Sequence, residues 1–211
     1  MAEIVHAKDL RPGNTFLNNG NLYEVLENYP INIIPLIEMY NINIILVSQD
    51  GFIEEKYDKY DVRGIFSQRE RIEYVEAYNR KNIVKNYLDK GIDPKYLEGY
   101  TDETLSLRLS ICTFIHETTH ALDYIISNTS KSEKFIKIFD EEWEQYMLTT
   151  HFNFENKKVI NNINKPEEFF ASAMVSYILY PEELQKYCPK TYLYINSIIV
   201  YFQNNELVYQ K

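Results

Sequence analysis

His116-Glu117-Thr118-Thr119-His120 lies near the middle of the chain, within a proline-free and largely apolar segment. On a helix, two histidines four residues apart leave the same face about one turn apart, so both can bind one Zn²⁺ through a ring nitrogen. Glu117 is then turned just far enough to miss the ion and to take a proton from its water. The pentapeptide therefore predicts two metal ligands and the general base of a catalytic zinc site.

The residues around this pentapeptide predict a helix that is buried along one stripe. Apolar or small side chains recur there at intervals of three and four residues: Leu105, Leu109, Cys112, Ile115, Thr119, Leu122 and Ile126. Such spacing is typical of a helix packed against a core. Histidines in a buried helix need a partner, and a metal ion supplies one. The alternative is a polar helix face with two solvated histidines.

A catalytic zinc site commonly has three protein ligands, so one more is needed. Residues 164–172 read Asn-Lys-Pro-Glu-Glu-Phe-Phe-Ala-Ser and offer Glu167 and Glu168 in the first turn of a predicted helix. Neighbouring side chains on a helix point about 100° apart, so only one of the two is expected to face the metal. Alternatively, both glutamates only complement the helix dipole.

The pattern along the chain predicts one folding unit of the α+β class. Short runs of β-forming residues in the first third predict strands at residues 21–26, 42–48, 62–66 and 71–75. Residues 34–40 predict a short helix, and residues 79–90 predict another that ends at Gly91. From Thr101 onward the chain reads as almost wholly helical, with a last helix at about residues 189–204. We expect a small N-terminal mixed or antiparallel sheet followed by a mainly helical C-terminal lobe.

Local signals predict where the later helices begin. Ser130 and Glu133 have the spacing of a capping box for the helix that follows them. Asn164 can cap a helix that starts at Pro166. Pro181 is expected to end that helix and to open a short one.

Composition and charge limit the classes of protein to which the chain can belong. The 211 residues carry a net charge of −9 and are 15% aromatic and 25% charged, as expected of a folded globular protein. The negative charge opposes binding to phosphate backbones, so we expect no nucleic acid partner. No segment reaches about 18 uninterrupted apolar residues, and the start lacks the apolar core of a signal peptide, so we expect no membrane segment.

Two cysteines, Cys112 and Cys188, lack the spacing of a metal site. Cys112 lies one turn before His116 on the apolar helix, where the expected role is that of a small buried hydrophobe. The alternative is a disulfide between the two cysteines, which leaves the cellular compartment open.

The sequence resembles the anthrax lethal factor family of zinc metallopeptidases, including its Pro-Pro endopeptidase-like members. The resemblance rests on His-Glu-Thr-Thr-His-Ala-Leu-Asp-Tyr at 116–124, Lys-Phe-Ile-Lys-Ile-Phe at 134–139, Glu-Phe-Phe-Ala at 168–171 and Pro-Lys-Thr-Tyr-Leu-Tyr-Ile-Asn at 189–196. It implies a zincin-like fold and secretion. The family glutamate directly before Phe-Phe-Ala is the third zinc ligand, which implies Glu168 rather than Glu167.

Four further positions follow from the resemblance. Asp123 matches an acidic position after the second histidine, where a carboxylate could orient an imidazole; the alternative is a solvated aspartate. The family tyrosine that stabilises the oxyanion, seven residues before the third ligand, is Asn161 here, unless a tyrosine such as Tyr146 takes its place. The acidic residue four positions after the ligand is Ser172. These departures predict weaker catalysis than in the family.

Residues 2–28 resemble the opening strands of elongation factor P, without the loop that presents its modified lysine. We therefore expect residues 1–29 to form a hairpin or a fused leader, and residues 30–211 to form the zinc peptidase domain. A translation-factor-like module is a third and separate hypothesis for the function of the chain.

Our main hypothesis is a zinc-dependent endopeptidase. His116, His120 and Glu168 hold the Zn²⁺, and Glu117 activates the water. The partner is a protein or peptide substrate that pairs as an added strand with residues 61–67. A glycine in that strand, at position 64, allows close approach or marks a bulge. The rival hypothesis is a weak or inactive peptidase-fold binding domain of a toxin-like protein.

Overall fold

A computed structural model describes residues 4–6, 25–47, 63–76, 80–148 and 165–205. The strands are β1 (Ile4–His6), β2 (Asn43–Val47), β3 (Gly64–Ser67) and β4 (Ile72–Glu76). The helices are α1 (Ile34–Met39), α2 (Ile83–Asp89), α3 (Asp102–Ile125), α4 (Glu133–Leu148), α5 (Pro166–Leu179), α6 (Pro181–Tyr187) and α7 (Pro189–Asn205). Short 3-10 turns at Pro94–Tyr96 and Thr129–Lys131 precede α3 and α4. The α+β class and the order of sheet and helical lobe are confirmed.

The sheet is mixed, and its strand order is β1-β2-β4-β3. β2 pairs in parallel with both β1 and β4, whereas β3 pairs antiparallel with β4. In that pair Phe66 stands opposite Glu73, and the register runs without interruption from Gly64 to Ser67. β3 therefore lies at an edge of the described sheet, as expected for a substrate-binding strand.

The long helix α3 connects the two parts of the molecule. It begins with a capping box, because Thr101 Oγ1 accepts from the Thr104 N–H while the Thr101 N–H donates to Thr104 Oγ1. One side of α3 packs on β3 and β4, and the other side packs on α5. Its predicted apolar stripe is buried from Leu105 to Leu122. The sheet and the helical lobe thus share one helix.

Aromatic residues hold the helical lobe together. Phe135 of α4 is fully buried, and its ring centroid lies 5.9 Å from that of Phe169 and 5.2 Å from that of Phe170. Tyr146 is also fully buried, with its ring 5.2 Å from that of Phe169. These contacts fix the rotation of α5 about its own axis, because both phenylalanines in its first turns are packed in the core.

One predicted helix cap is wrong, and the other falls on a residue outside the described part of the chain. The N–H and hydroxyl of Ser130 both donate to the Asp123 carboxylate, and the Ser132 hydroxyl instead accepts from the Phe135 N–H at the start of α4. Asn164 lies outside the described residues. The residue that caps α5 is Lys165, which makes no side-chain cap hydrogen bond. α5 begins with a proline, which has no N–H to satisfy.

Two other predictions need correction at their boundaries. Of the strand expected at residues 21–26, the first four residues lie outside the described part, and Val25 and Leu26 are helical. The helix expected from residue 79 begins only at Ile83, because Asn82 has a left-handed conformation with φ 60°. Its N–H donates to Asp102 of α3. The predicted end at Gly91 is confirmed by its φ of +80°.

Both cysteines are buried and neither forms a disulfide, so Cys112 is a small core residue that is not bonded to Cys188. None of the helices in the described ranges is long and apolar enough to cross a membrane.

Candidate metal centre

Two helices bring three potential ligands together. His116 and His120 leave the same face of α3, and their Nε2 atoms lie 3.0 Å apart. Glu168, in the first turn of α5, places Oε2 3.2 Å from Nε2 of His116 and 3.6 Å from Nε2 of His120. Across the described parts of the chain, this is the one group of three His, Cys, Asp or Glu residues that could hold a metal ion.

The distances between these three atoms fit a tetrahedral metal ion. Ligands about 2.0–2.1 Å from a zinc ion stand about 3.3–3.4 Å from one another in a tetrahedron. The three observed separations of 3.0, 3.2 and 3.6 Å lie on both sides of that value. Two nitrogens and a carboxylate oxygen this close present converging lone pairs, which a shared cation stabilises.

The electrostatics of the group favour a positive charge at its centre. Burial would raise the pKa of Glu168, but hydrogen bonds and charge interactions with His116 and His120 hold that pKa well below its usual range. Burial opposes the charged form of His120, yet the carboxylates of Glu168, Glu117 and Asp123 outweigh it and raise the pKa of the imidazole. A metal ion bound there would compete with protons for the same ligand atoms.

The orientation of α5 selects between the two adjacent glutamates. Phe169 and Phe170 are fully buried in the aromatic core, which leaves Glu168 facing α3. Glu167 is not part of the three-residue group. The structure therefore brings together His116, His120 and Glu168. That these three residues bind a metal ion stays a prediction.

The carboxylate of Glu117 contacts the edge strand. Glu117 is 8% exposed, and its Oε2 accepts a hydrogen bond of 2.8 Å from the Phe66 N–H of β3. A Cβ atom on Gly64 would lie 2.8 Å from Cγ of Glu117 and 2.5 Å from Cγ2 of Thr113. Gly64 thus permits close packing of α3 on β3. β3 has no bulge at Gly64, because its register with β4 is uninterrupted. The element that approaches Gly64 closely is helix α3.

His116 has a hydroxyl partner on its other ring nitrogen. Ser172 Oγ lies 3.4 Å from Nδ1 of His116, and Ser172 stands where the resemblance implies an acidic residue. The carbonyl of Ser172 accepts a hydrogen bond of 2.9 Å from the Tyr146 hydroxyl. Tyr146 is fully buried in this interaction, so its proposed role as a substitute oxyanion donor is wrong. Asn161 lies outside the described residues.

Asp123 has neither of its two expected roles. It is 4% exposed and hence not solvated, and its oxygens accept from the N–H and hydroxyl of Ser130 at 2.9 and 2.5 Å. The carboxylate thus holds the turn after α3, and burial raises its pKa. It acts on His120 only through its charge.

Glu73 is a further buried carboxyl group, which interacts with Glu117 through its charge and which the sequence did not indicate. Glu73 of β4 is completely buried and accepts from the Thr118 hydroxyl at 3.0 and 3.2 Å. Burial, and then the charge of Glu117, raise the pKa of Glu73 well above its ordinary value. No local sequence signal marks this residue, because its burial depends on the packing of α3 on β4.

Comparison with known proteins gives one family and one fold. Residues 21–198 match the family described as anthrax toxin lethal factor, N- and C-terminal domain. A Pro-Pro endopeptidase of Clostridioides difficile (strain 630) is 27% identical over 184 residues, covering 67% of this chain and 77% of that protein. The solved structure of a Pro-Pro endopeptidase from Paenibacillus alvei matches with a TM-score of 0.53 and 21% identity, over 92% of this chain and 95% of that chain, and has the same fold.

A separate similarity is short. Elongation factor P of Malacoplasma penetrans (strain HF-2) is 68% identical over 28 residues, which are 13% of this chain and 15% of that protein. Elongation factor P of Ureaplasma parvum serovar 3 (strain ATCC 700970) is 64% identical over the same length. This similarity thus extends to a small part of either molecule.

Proposed function

The chain belongs to the anthrax toxin lethal factor family, and on that premise we propose that it is a zinc-dependent endopeptidase that cleaves an extended protein or peptide substrate. Relatives named Pro-Pro endopeptidase support a peptidase. The observation that carries the proposal is the convergence of His116, His120 and Glu168, at distances that suit a tetrahedral metal ion.

In this proposal His116, His120 and Glu168 hold the Zn²⁺, for which two imidazoles and a carboxylate are a suitable ligand set. When bound, the ion would polarise the scissile carbonyl and lower the pKa of a water molecule. The proton transfers are assigned to a side chain of α3.

Glu117 is the proposed general base. Its Oε2 is held by the Phe66 N–H, which leaves Oε1 as the oxygen that takes a proton from the attacking water. The same carboxyl group would then return the proton to the leaving amine. Its position next to His116 in the sequence keeps it within reach of the ligand group.

The substrate is proposed to lie along β3. The N–H of Glu76 donates to the carbonyl of Arg63, so main-chain groups of alternate residues of β3 face β4. Those of Gly64 and Phe66 face the open edge, where an extended peptide could add as a further strand.

One specific observation favours a second candidate, a weak or inactive binding domain with the peptidase fold. The family's oxyanion tyrosine corresponds to Asn161 in this sequence, and Tyr146 is buried elsewhere. Asn161→Tyr separates the two candidates: an increase in the cleavage rate with unchanged zinc content indicates a peptidase that lacks one donor. Such a donor is worth roughly 10²- to 10³-fold in rate.

The division into residues 1–29 and 30–211 is a further proposal. The short similarity to elongation factor P supports it. β1 nevertheless pairs with β2, so any leader at the N-terminus contributes a strand to the peptidase sheet.

The test of the proposed function combines zinc analysis of the purified protein with cleavage of a proteome-derived peptide library that contains proline-rich peptides. We expect about one zinc ion per chain and measurable cleavage. The double variant His116→Ala with His120→Ala should lose the zinc, and stoichiometric zinc in that variant would reject the site.

Glu117→Gln should retain the zinc and lose cleavage, since an amide cannot accept the proton. Unchanged turnover in this variant would require a different base.

A further inference from the structure

The edge strand β3 has main-chain donors that face away from the sheet. The bond between the Glu76 N–H and the Arg63 carbonyl sets the phase of the antiparallel ladder. Residues opposite each other alternate between hydrogen-bonded and non-bonded pairs in such a ladder. Ile65 therefore pairs with β4, whereas the N–H of Phe66, opposite Glu73, points outward.

The outward N–H of Phe66 is not left to solvent. It donates to Oε2 of Glu117 at 2.8 Å, and Glu117 is 8% exposed. An outward donor on an edge strand is normally available to an added strand. In this protein the proposed general base occupies it.

A second feature of β3 also constrains Glu117. Gly64, two residues before Phe66, would bring a Cβ atom within 2.8 Å of the Glu117 Cγ. The absence of a side chain at this position lets the Glu117 methylene groups lie against the strand. β3 thus contacts both the apolar part and the carboxylate of the same side chain.

We propose that the main-chain N–H of Phe66 is a positioning group for Glu117, so that β3 orients the general base as well as offering an edge to the substrate. The inference rests on the proposed peptidase function. One oxygen of the carboxylate is fixed by the strand, and the other is directed to the reacting water. A substrate strand would consequently pair with β3 without the Phe66 N–H.

The decisive variant removes the N–H and keeps the side chain. Replacing Phe66 by its α-hydroxy acid analogue, phenyllactate, exchanges the amide for an ester. Phe66→Pro removes the same N–H by ordinary mutagenesis and breaks no ladder bond, because an outward N–H on an edge strand is where proline is tolerated. Phe66→Ala is the matched control, since it removes the ring and retains the N–H.

We expect the ester and proline variants to retain zinc and KM while kcat falls about 10- to 100-fold, as for a misplaced catalytic group. Phe66→Ala should change kcat much less. An unchanged kcat in the ester variant, or an equal fall in kcat for Phe66→Ala, would overturn the proposal.

An independent readout uses the metal-free protein. Amide hydrogen exchange at Phe66 should accelerate about 10-fold or more in Glu117→Ala, the size expected for loss of a hydrogen bond to a charged group. Exchange at Ile65 is the internal control, because its N–H belongs to the ladder. Equal exchange at Phe66 in wild type and variant would also overturn the proposal. If the wild-type protein cleaved no peptide, the proposed function would be rejected instead. The exchange measurement would still test whether the Phe66 N–H donates to Glu117.

Discussion

The hydroxyl of Thr118 donates to both carboxyl oxygens of Glu73, at 3.0 and 3.2 Å, and so joins α3 to β4. Glu73 is completely buried. Its acceptor oxygens are thus satisfied by the residue that follows the proposed general base.

We predict that Glu73→Gln makes folding less sensitive to pH. Burial, and then the charge of Glu117, raise the pKa of Glu73, so the folded state keeps a proton that the unfolded chain has lost. Stability therefore falls as the pH rises from about 4.3, the usual glutamate pKa, through the raised folded value, by up to about 1.4 kcal/mol per pH unit. Glutamine cannot ionise and retains an acceptor for Thr118.

Urea unfolding between pH 5 and 8 measures this effect. The stability of Glu73→Gln relative to wild type should increase with pH. Glu144→Gln, on the exposed face of α4, is the matched control for the loss of a carboxylate. A constant difference for Glu73→Gln would contradict the buried protonated state.

Removal of the two adjacent glutamates should have different consequences. Glu168→Ala should weaken zinc binding by more than about 100-fold, since loss of even an outer partner of a ligand changes affinity 10- to 100-fold. Glu167→Ala should cost only about 0.3–1 kcal/mol of stability through the helix dipole. Competition with a chromogenic chelator measures the affinities. The opposite order would transfer the ligand role to Glu167.

The hydroxyl of Ser172 should contribute to metal affinity through His116. Ser172→Ala removes the contact of 3.4 Å with Nδ1 and should weaken zinc binding by about 10-fold, the low end for such partners. Ser176→Ala is the matched control, because Ser176 is buried one turn later and contacts Tyr146. Equal zinc affinity in both variants would show that the Ser172 side chain contributes to packing and not to metal binding.

Gly64→Ala should destabilise the protein through a steric clash. The new methyl group would lie 2.5 Å from Thr113 Cγ2 and 2.8 Å from Glu117 Cγ. We expect a loss of about 1–3 kcal/mol, typical of overpacking. Adding Thr113→Ser removes one of the clashing atoms and should restore part of the loss, so that the two substitutions are not additive in urea unfolding. Strict additivity would place the clash elsewhere.

Local periodicity was sufficient to predict the helix of the metal centre. The spacing of His116 and His120 is set by the helix itself, so the sequence alone places both imidazoles on one face. The choice of Glu168 over Glu167 was different, because it depends on how Phe169 and Phe170 are buried. Only the family resemblance supplied that information before the structure.

The failed predictions share a physical cause, which is competition from distant partners. Ser130 has the sequence of a capping residue but binds Asp123, seven positions earlier, instead. Tyr146 could have served the active site, yet its hydroxyl lies between α4 and α5. Glu73, for which the sequence made no prediction, shares its strand face with Val75 and is buried where α3 packs on β4. Tertiary contacts of this kind leave no local periodicity.

The separation of the ligands along the chain makes any bound metal ion a cross-link. His116 and Glu168 are 52 residues apart, so an ion held by both joins α3 to α5 across a long stretch of chain. An ion that binds the folded state alone stabilises that state by mass action. Metal loading should therefore govern how long the protein survives digestion by other proteases, and chelation should expose it to them without a change in sequence.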